Sequence, residues 1–212
     1  MQNRTGPLPV SPIDAIPEHL LTRARAGDEA ALGSLLELYR NYLRLVARAL
    51  IGQALRVRLD ASDLVQETFL KASREFGQFL GATEPELTAW LRQILVRTLA
   101  NQAKHHRRQG RDYQRQESLE AMLDRSSEAV QHALATPSES PSGHAIRREQ
   151  AVLLADALEK LPADYREVFI LRNLEHIPFD EVAARLGRSP GAARVLWKRA
   201  MDRLSDLLRD PS

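Results

Sequence analysis

The chain has 212 residues, enough for one or two small domains, and no cysteine, which excludes disulfides, thiolate metal sites and cysteine nucleophiles. No apolar run approaches a membrane span and the N-terminus lacks the apolar core of a signal peptide, so a cytoplasmic protein without membrane insertion is expected. The formal net charge of +2 is too small to argue for nucleic acid by itself; the positive charge is clustered, and its placement carries the argument.

Residues 1–17 hold Pro7, Pro9, Pro12 and Pro17 and read as a flexible extended tail. His19–Ala26 reads as a short helix ended by Gly27. Asp28 then caps a longer helix in which Ala31, Leu35, Leu38, Tyr39, Tyr42, Leu43, Val46 and Leu50 recur at threes and fours. The arginines beside them, Arg40, Arg44 and Arg48, read as surface charge that aids solubility.

Asp60 or Ser62 can cap the next helix, with Asp63 favouring the positive end of its dipole. On a 3.6-residue period Val65, Phe69, Ala72, Phe76 and Phe79 fall on one side, the core. Asp63, Gln66, Glu67, Leu70, Lys71 and Arg74 fall on the other. That outer face has two readings: a solvated face with one stray leucine, or a docking surface with an apolar centre and charged groups that fix register.

The helix ends near Gly77. After a loop with Gly81, Pro85 stands at the first turn of a helix from about Glu86 to Arg107. Its apolar set is Leu87, Trp90, Leu91, Ile94, Leu95 and Leu99. The other side presents Arg92, Arg97, Asn101 and Lys104, and Lys104-His105-His106-Arg107-Arg108 closes the helix. Cations there suit the helix dipole, and a basic stripe also neutralises phosphates. The adjacent histidines point about 100° apart on a helix, without a carboxylate or cysteine beside them, so no metal is expected.

From 109 to 144 the character changes. Gln116 to Ala135 forms at most a marginal amphipathic helix, and Thr136 to Gly143 reads as linker. Helical pattern resumes at Ala145 and stops at Leu161-Pro162. Asp164 to Arg172 forms the next helix, Pro178 opens a short one through Leu186, and Gly187 turns the chain. Ser189 caps the last helix with Pro190 at its first position. In that helix Ala193, Leu196, Trp197, Ala200, Leu204 and Leu207 share one side; Arg194, Val195, Lys198, Arg199, Asp202 and Arg203 share the other. A helix, a glycine turn and a capped helix with a basic outer face make helix-turn-helix geometry. Arg194 and Lys198 are placed to reach base edges, Val195 a thymine methyl, and Arg199, Arg203 and Arg188 phosphates.

Asp63-Leu64-Val65-Gln66-Glu67-Thr68-Phe69-Leu70-Lys71-Ala72 resembles the region 2.2 helix of sigma-70 family transcription initiation factors. Ala89-Trp90-Leu91-Arg92-Gln93-Ile94 resembles the start of regions 2.3 and 2.4. Leu161-Pro162 with Arg166-Glu167-Val168-Phe169, and Val182 to Ser189, resemble regions 4.1 and 4.2. The short chain is similar to the extracytoplasmic-function group, which keeps two of the family's domains. It departs from the common pattern at Val96-Arg97 and Asn101, where relatives often carry an arginine-asparagine pair and then an aspartate, and at Val195-Leu196, where serine and arginine are frequent.

The resemblance implies an all-α protein of two small helical domains, residues 18–108 and 145–212, joined by a flexible linker at 109–144. It implies that Asp63, Gln66, Glu67 and Leu70 grip core RNA polymerase. Arg92, Arg97, Asn101, Lys104, Arg107 and Arg108 would hold the melted promoter −10 strand, and Arg188, Arg194, Val195, Lys198, Arg199 and Arg203 the −35 duplex. It also implies the possibility of an anti-sigma factor as regulator. No cofactor and no catalysis are expected, because no carboxylate pair, activated nucleophile or phosphate loop stands at workable spacing. The alternative is a stand-alone helix-turn-helix regulator with an N-terminal interaction domain.

Overall fold

The structure is a computed structural model that describes residues 15–51, 59–109 and 143–209, with side chains at 17–51, 59–104 and 150–209. Among these residues every regular element is helical. Helix α1 (Ala15–Arg25) starts inside the expected tail. Gly27 ends it with φ of +92°, a left-handed conformation that glycine adopts without a Cβ penalty. Asp28 then caps α2 (Glu29–Leu38): its Oδ1 accepts the Ala31 N–H at 3.0 Å while Arg23 donates to its Oδ2.

The long helix expected after Asp28 is two helices. The chain breaks at Tyr39, and α3 runs Arg40–Leu50. Tyr39 leaves helical geometry (φ −97°, ψ 2°), its N–H bonds back to Leu36, and its ring is buried. Apolar spacing continues through the corner because Tyr39 is core for both helices, so periodicity alone does not register the break.

Helix α4 (Ala61–Glu75) is capped by Asp60, whose carboxylate accepts from Ser62 and Asp63. A short turn, Phe76–Gln78, follows. Helix α5 (Glu84–Gln109) starts two residues earlier than its pattern indicates. Glu86 reaches back to the N–H groups of Ala82 and Thr83, satisfying the donors that a helix start leaves orphaned. Phe76, Phe79 and Trp90 pack together there, with centroids 5.1 to 6.1 Å apart.

The C-terminal half holds α6 (Gly143–Glu159), α7 (Ala163–Phe169), α8 (Phe179–Arg185) and α9 (Pro190–Arg209). Between α7 and α8 the helix widens into a π turn, Ile170–Leu174, closed by Glu175 N–H on the Ile170 carbonyl. The expected helix to Arg172 therefore loosens at Ile170. Gly187 turns the chain at φ of +62°, and Ser189 Oγ accepts the Ala192 N–H to start α9.

The two halves pack against each other. One apolar core runs from Leu21 through Leu99 and continues into Ala151, Leu154, Leu158, Phe169 and Leu204. A smaller core inside the helix-turn-helix gathers Val168, Val182, Ala183, Ala193, Leu196 and Ala200. Helix α3 lies on α6, where Asn41 Nδ2 donates to Asp156 at 2.9 Å and Arg44 pairs with Glu159 at 3.4 Å. Arg44 is thus an interhelical partner rather than plain surface charge. Arg40 pairs with Glu37 and covers the Phe69 ring. The readings made for residues 1–14 and 110–142 lie outside the described residues.

Candidate docking and nucleic-acid interfaces

On α4, Leu64, Val65, Thr68 and Ala72 are buried against the core. That fixes the roll of the helix and turns Asp63, Gln66 and Leu70 outward, one helical turn apart. Leu70 is 60% exposed, an apolar centre between polar neighbours. Phe69, expected in the core, is half-buried beneath the Arg40 guanidinium, 5.1 Å from its centroid. Glu67 stands apart from the outward row. It leans toward α5, with one oxygen 2.7 Å from Lys71 Nζ and the other accepting from Gln102. The Lys71 ammonium and the Gln102 amide hold its carboxyl below the usual carboxylate range, against the opposing effect of burial.

On α5 the buried set includes Leu87, Leu91, Ile94, Leu95, Val96 and Leu99. Arg97, Asn101 and Lys104 are exposed at i, i+4 and i+7, a single row. Arg92 does not join it. Nine residues separate it from Asn101, which places it about 180° around the helix, and it is half-buried. Arg107 and Arg108 belong to α5, but their side chains, like those of His105 and His106, lie outside the described residues.

On α9 the burial of Ala193, Leu196, Ala200 and Leu204 turns Arg194, Val195, Lys198, Arg199 and Arg203 to solvent. Val195 is 52% exposed. Trp197 is half-buried rather than fully core: its Nε1 donates to Asn173 at 2.8 Å and its ring meets Phe179 edge-on. Phe179 is a residue that pattern reading passes over. Its ring lies under the guanidinium groups of Arg172 and Arg194, at 5.0 and 5.5 Å, and so helps hold the arginine expected to read bases. Arg188 is tied to Asp164 at 2.5 Å. Leu80, 90% exposed in the loop before α5, was also not signalled by any helical period.

The sigma-70 region 2 family matches residues 38–111, which carry α4 and the α5 row, and the sigma-70 region 4 family matches residues 151–204, which carry the helix-turn-helix. A curated relative, the ECF RNA polymerase sigma factor SigD of Mycobacterium tuberculosis, is 32% identical over 187 residues, 88% of this chain and 81% of that protein. The chain belongs to the sigma-70 family.

A second relative, RNA polymerase sigma factor CarQ of Myxococcus xanthus, is 32% identical over 148 residues, 70% of this chain and 74% of that one. Among solved structures, CnrH in complex with the cytosolic domain of CnrY aligns at 24% identity over 93% of this chain and 99% of that one, with a TM-score of 0.32. The chain is an alternative sigma factor of the extracytoplasmic-function group: it binds core RNA polymerase and directs it to promoter DNA. Both family regions stand in order on one chain, so the stand-alone regulator is not favoured. Among the described residues no helix is long and apolar enough to cross a membrane.

Proposed function

We propose that this sigma factor divides promoter recognition among three faces. Asp63, Gln66 and Leu70, with Glu67 at their edge, dock on core polymerase; Leu70 is the desolvated anchor and the polar groups fix register. Arg97, Asn101 and Lys104, continued by Arg107 and Arg108, hold the separated −10 strand by phosphate neutralisation and hydrogen bonding. Arg194 and Lys198 read base edges in the −35 major groove, Val195 touches a thymine methyl, and Arg188, Arg199 and Arg203 grip phosphates. Residues 18–108 and 145–212 act as the two domains and 109–144 as the link, so two modest DNA contacts add through effective concentration. The protein works in the cytoplasm as a non-catalytic specificity subunit.

The observation that carries this reading is the division of each helix. Among the described residues, Asp63, Gln66 and Leu70 on α4, Arg97, Asn101 and Lys104 on α5, and Arg194, Val195, Lys198, Arg199 and Arg203 on α9 are exposed on helices whose opposite faces build the core, so these rows are available for binding without a cost to the fold. Run-off transcription with purified core polymerase and a fragmented genomic library tests it. Discrete transcripts that require the protein are expected, and their upstream sequences define both elements. Gln66→Ala with Leu70→Ala should abolish co-elution with core while the helical content is kept. Arg194→Ala should weaken −35 binding by about 1–3 kcal/mol at one base position. Normal core binding by the double variant would overturn the docking assignment, and an equal loss on every −35 sequence would make Arg194 a phosphate contact.

A further inference from the structure

Among the described residues, helices α4 and α5 are joined by a polar cluster. Lys71 Nζ lies 2.7 Å from Glu67 Oε1 and donates to Thr98 Oγ1 at 3.2 Å, while Gln102 Nε2 donates to Glu67 Oε2 at 2.5 Å. Each helix supplies two residues at i and i+4. Residue 67 meets 102 and 71 meets 98, so the pairings run in opposite senses across antiparallel helices. Thr98 is fully buried, and Glu67, Lys71 and Gln102 are half-buried.

We infer that this cluster is a strut that sets the roll of α5 on α4, making Lys71, Thr98 and Gln102 positioning residues for the row that holds the −10 strand. The inference rests on the proposed role of that row. Thr98 directly follows Arg97, and Gln102 directly follows Asn101. Neighbours on a helix point 100° apart, so fixing the direction of one fixes the other. The surrounding contacts of Leu64, Leu91, Leu95 and Leu99 are non-directional, whereas hydrogen bonds prefer a narrow range of angle and distance. At an outer helix radius of about 5–6 Å, a roll of about 20° moves a side chain by roughly 2 Å. That exceeds the tolerance of about 0.5 Å within which a binding constellation works. A half-exposed ion pair adds little stability, so register is the better reason for keeping four polar groups here.

The test uses holoenzyme reconstituted from core polymerase and the full chain. Two quantities are measured: affinity for core, and capture of a fluorescent single-stranded oligonucleotide carrying the nontemplate −10 sequence of a promoter found by run-off. Gln102→Leu and Lys71→Met should each reduce strand capture about tenfold, the worth of one or two directed hydrogen bonds. Core affinity and thermal midpoint should stay at the parent value. Lys71→Arg should restore most of the capture. Combining Gln102→Leu with Asn101→Ala should cost less than the sum of the two, because one acts through the other. Thr98→Val keeps the buried shape without the hydroxyl and serves if a larger change unfolds the domain. Unchanged capture in Gln102→Leu and Lys71→Met, while Arg97→Ala and Asn101→Ala lose it, would sink the strut alone. Unchanged capture in Arg97→Ala and Asn101→Ala would sink the row and the strut together. A matching fall in core affinity or melting midpoint would reduce the cluster to a structural contact.

Discussion

Glu159→Gln removes one charge from a three-residue cluster that ties the two halves together. The Glu159 carboxylate lies 2.7 Å from Arg166 Nη1 within its own half and 3.4 Å from Arg44 Nη1 across the interface, with about a quarter or less of each side chain exposed. Exposed ion pairs are worth about 0–1 kcal/mol, and breaking a fully buried pair costs about 3–5 kcal/mol because a charge is stranded. A cluster at this depth falls between, so a loss of about 2 kcal/mol is expected. Most of it should pass through Arg166, the shorter contact, although Arg166 keeps its bonds to the Glu159 and Leu161 carbonyls. Arg44→Ala removes only the arm that crosses the interface and should cost about 0.5–1 kcal/mol. Urea unfolding of the full chain reads both. With a slope of about 2 kcal/mol per molar, Glu159→Gln shifts the midpoint by roughly 1 M. The shared apolar core predicts that both halves unfold in one transition. A midpoint shift under roughly 0.25 M at low salt would refute the reasoning, as would a double variant whose loss is the plain sum of Arg44→Ala and Glu159→Gln.

Asp60→Ala removes the cap of α4 and should cost about 1 kcal/mol in urea unfolding. The Ser62 N–H, then that of Asp63, holds the Asp60 carboxyl below its ordinary value, so its contribution is full above about pH 4 and is lost as pH falls through the lowered folded value. Asp60→Asn should therefore flatten the acid limb of a stability-versus-pH curve; an unchanged limb would assign it to other carboxylates. Gly81→Ala places a Cβ 2.3 Å from the Phe79 ring and 2.9 Å from Glu86 Cβ, so the aromatic cluster or the helix start must shift. A loss of about 1–3 kcal/mol is expected by thermal or urea unfolding, and a neutral result would mean the loop yields freely. Trp197→Phe leaves Asn173 without its donor and should cost about 1 kcal/mol, with −35 binding reduced because Phe179 and the Arg194 above it lose their neighbour. Unchanged −35 affinity in that variant would show that Arg194 is placed without help from Trp197.

Local signals in the sequence predicted local structure well. Asp28, Asp60 and Ser189 cap the helices they precede, and Gly27 and Gly187 take the positive φ that their turns require. The outward placement of Asp63, Gln66, Leu70, Arg97, Asn101, Lys104, Arg194 and Lys198 was legible because burial follows the 3.6-residue period. The misses depend on partners far along the chain. Arg44 resembles any surface arginine until Glu159, on a distant helix, approaches it. Glu67 shares the outward arc of α4 on a helical wheel, yet Gln102 draws it toward α5. Arg92 is a different case: its separation of nine residues from Asn101 already puts it on another side of α5, so the period itself, applied along the helix, parts it from the row. The break at Tyr39 escaped for a different reason: the same apolar residue satisfies both helices, so the period never falters.

These pairings explain why the net charge of +2 says so little about nucleic acid. Arg23, Arg40, Arg44, Lys71, Arg166, Arg185 and Arg188 are engaged in ion pairs with carboxylates of the same chain. A cation held in that way gains less from a phosphate, because it must share or release its carboxylate. Arg97, Lys104, Lys198, Arg199 and Arg203 form no ion pair among the described residues. Those five sit in the rows on α5 and α9, and a cation free of a carboxylate partner gains the whole of its counterion release if it meets a phosphate. Arg188 belongs with the first group, since Asp164 already holds it, so Arg188→Ala is expected to weaken −35 binding less than Arg199→Ala or Arg203→Ala in a binding titration. A protein almost neutral in sum can therefore present a strongly positive face to a polyanion where cations without an ion pair are gathered in rows, as they are on α5 and α9.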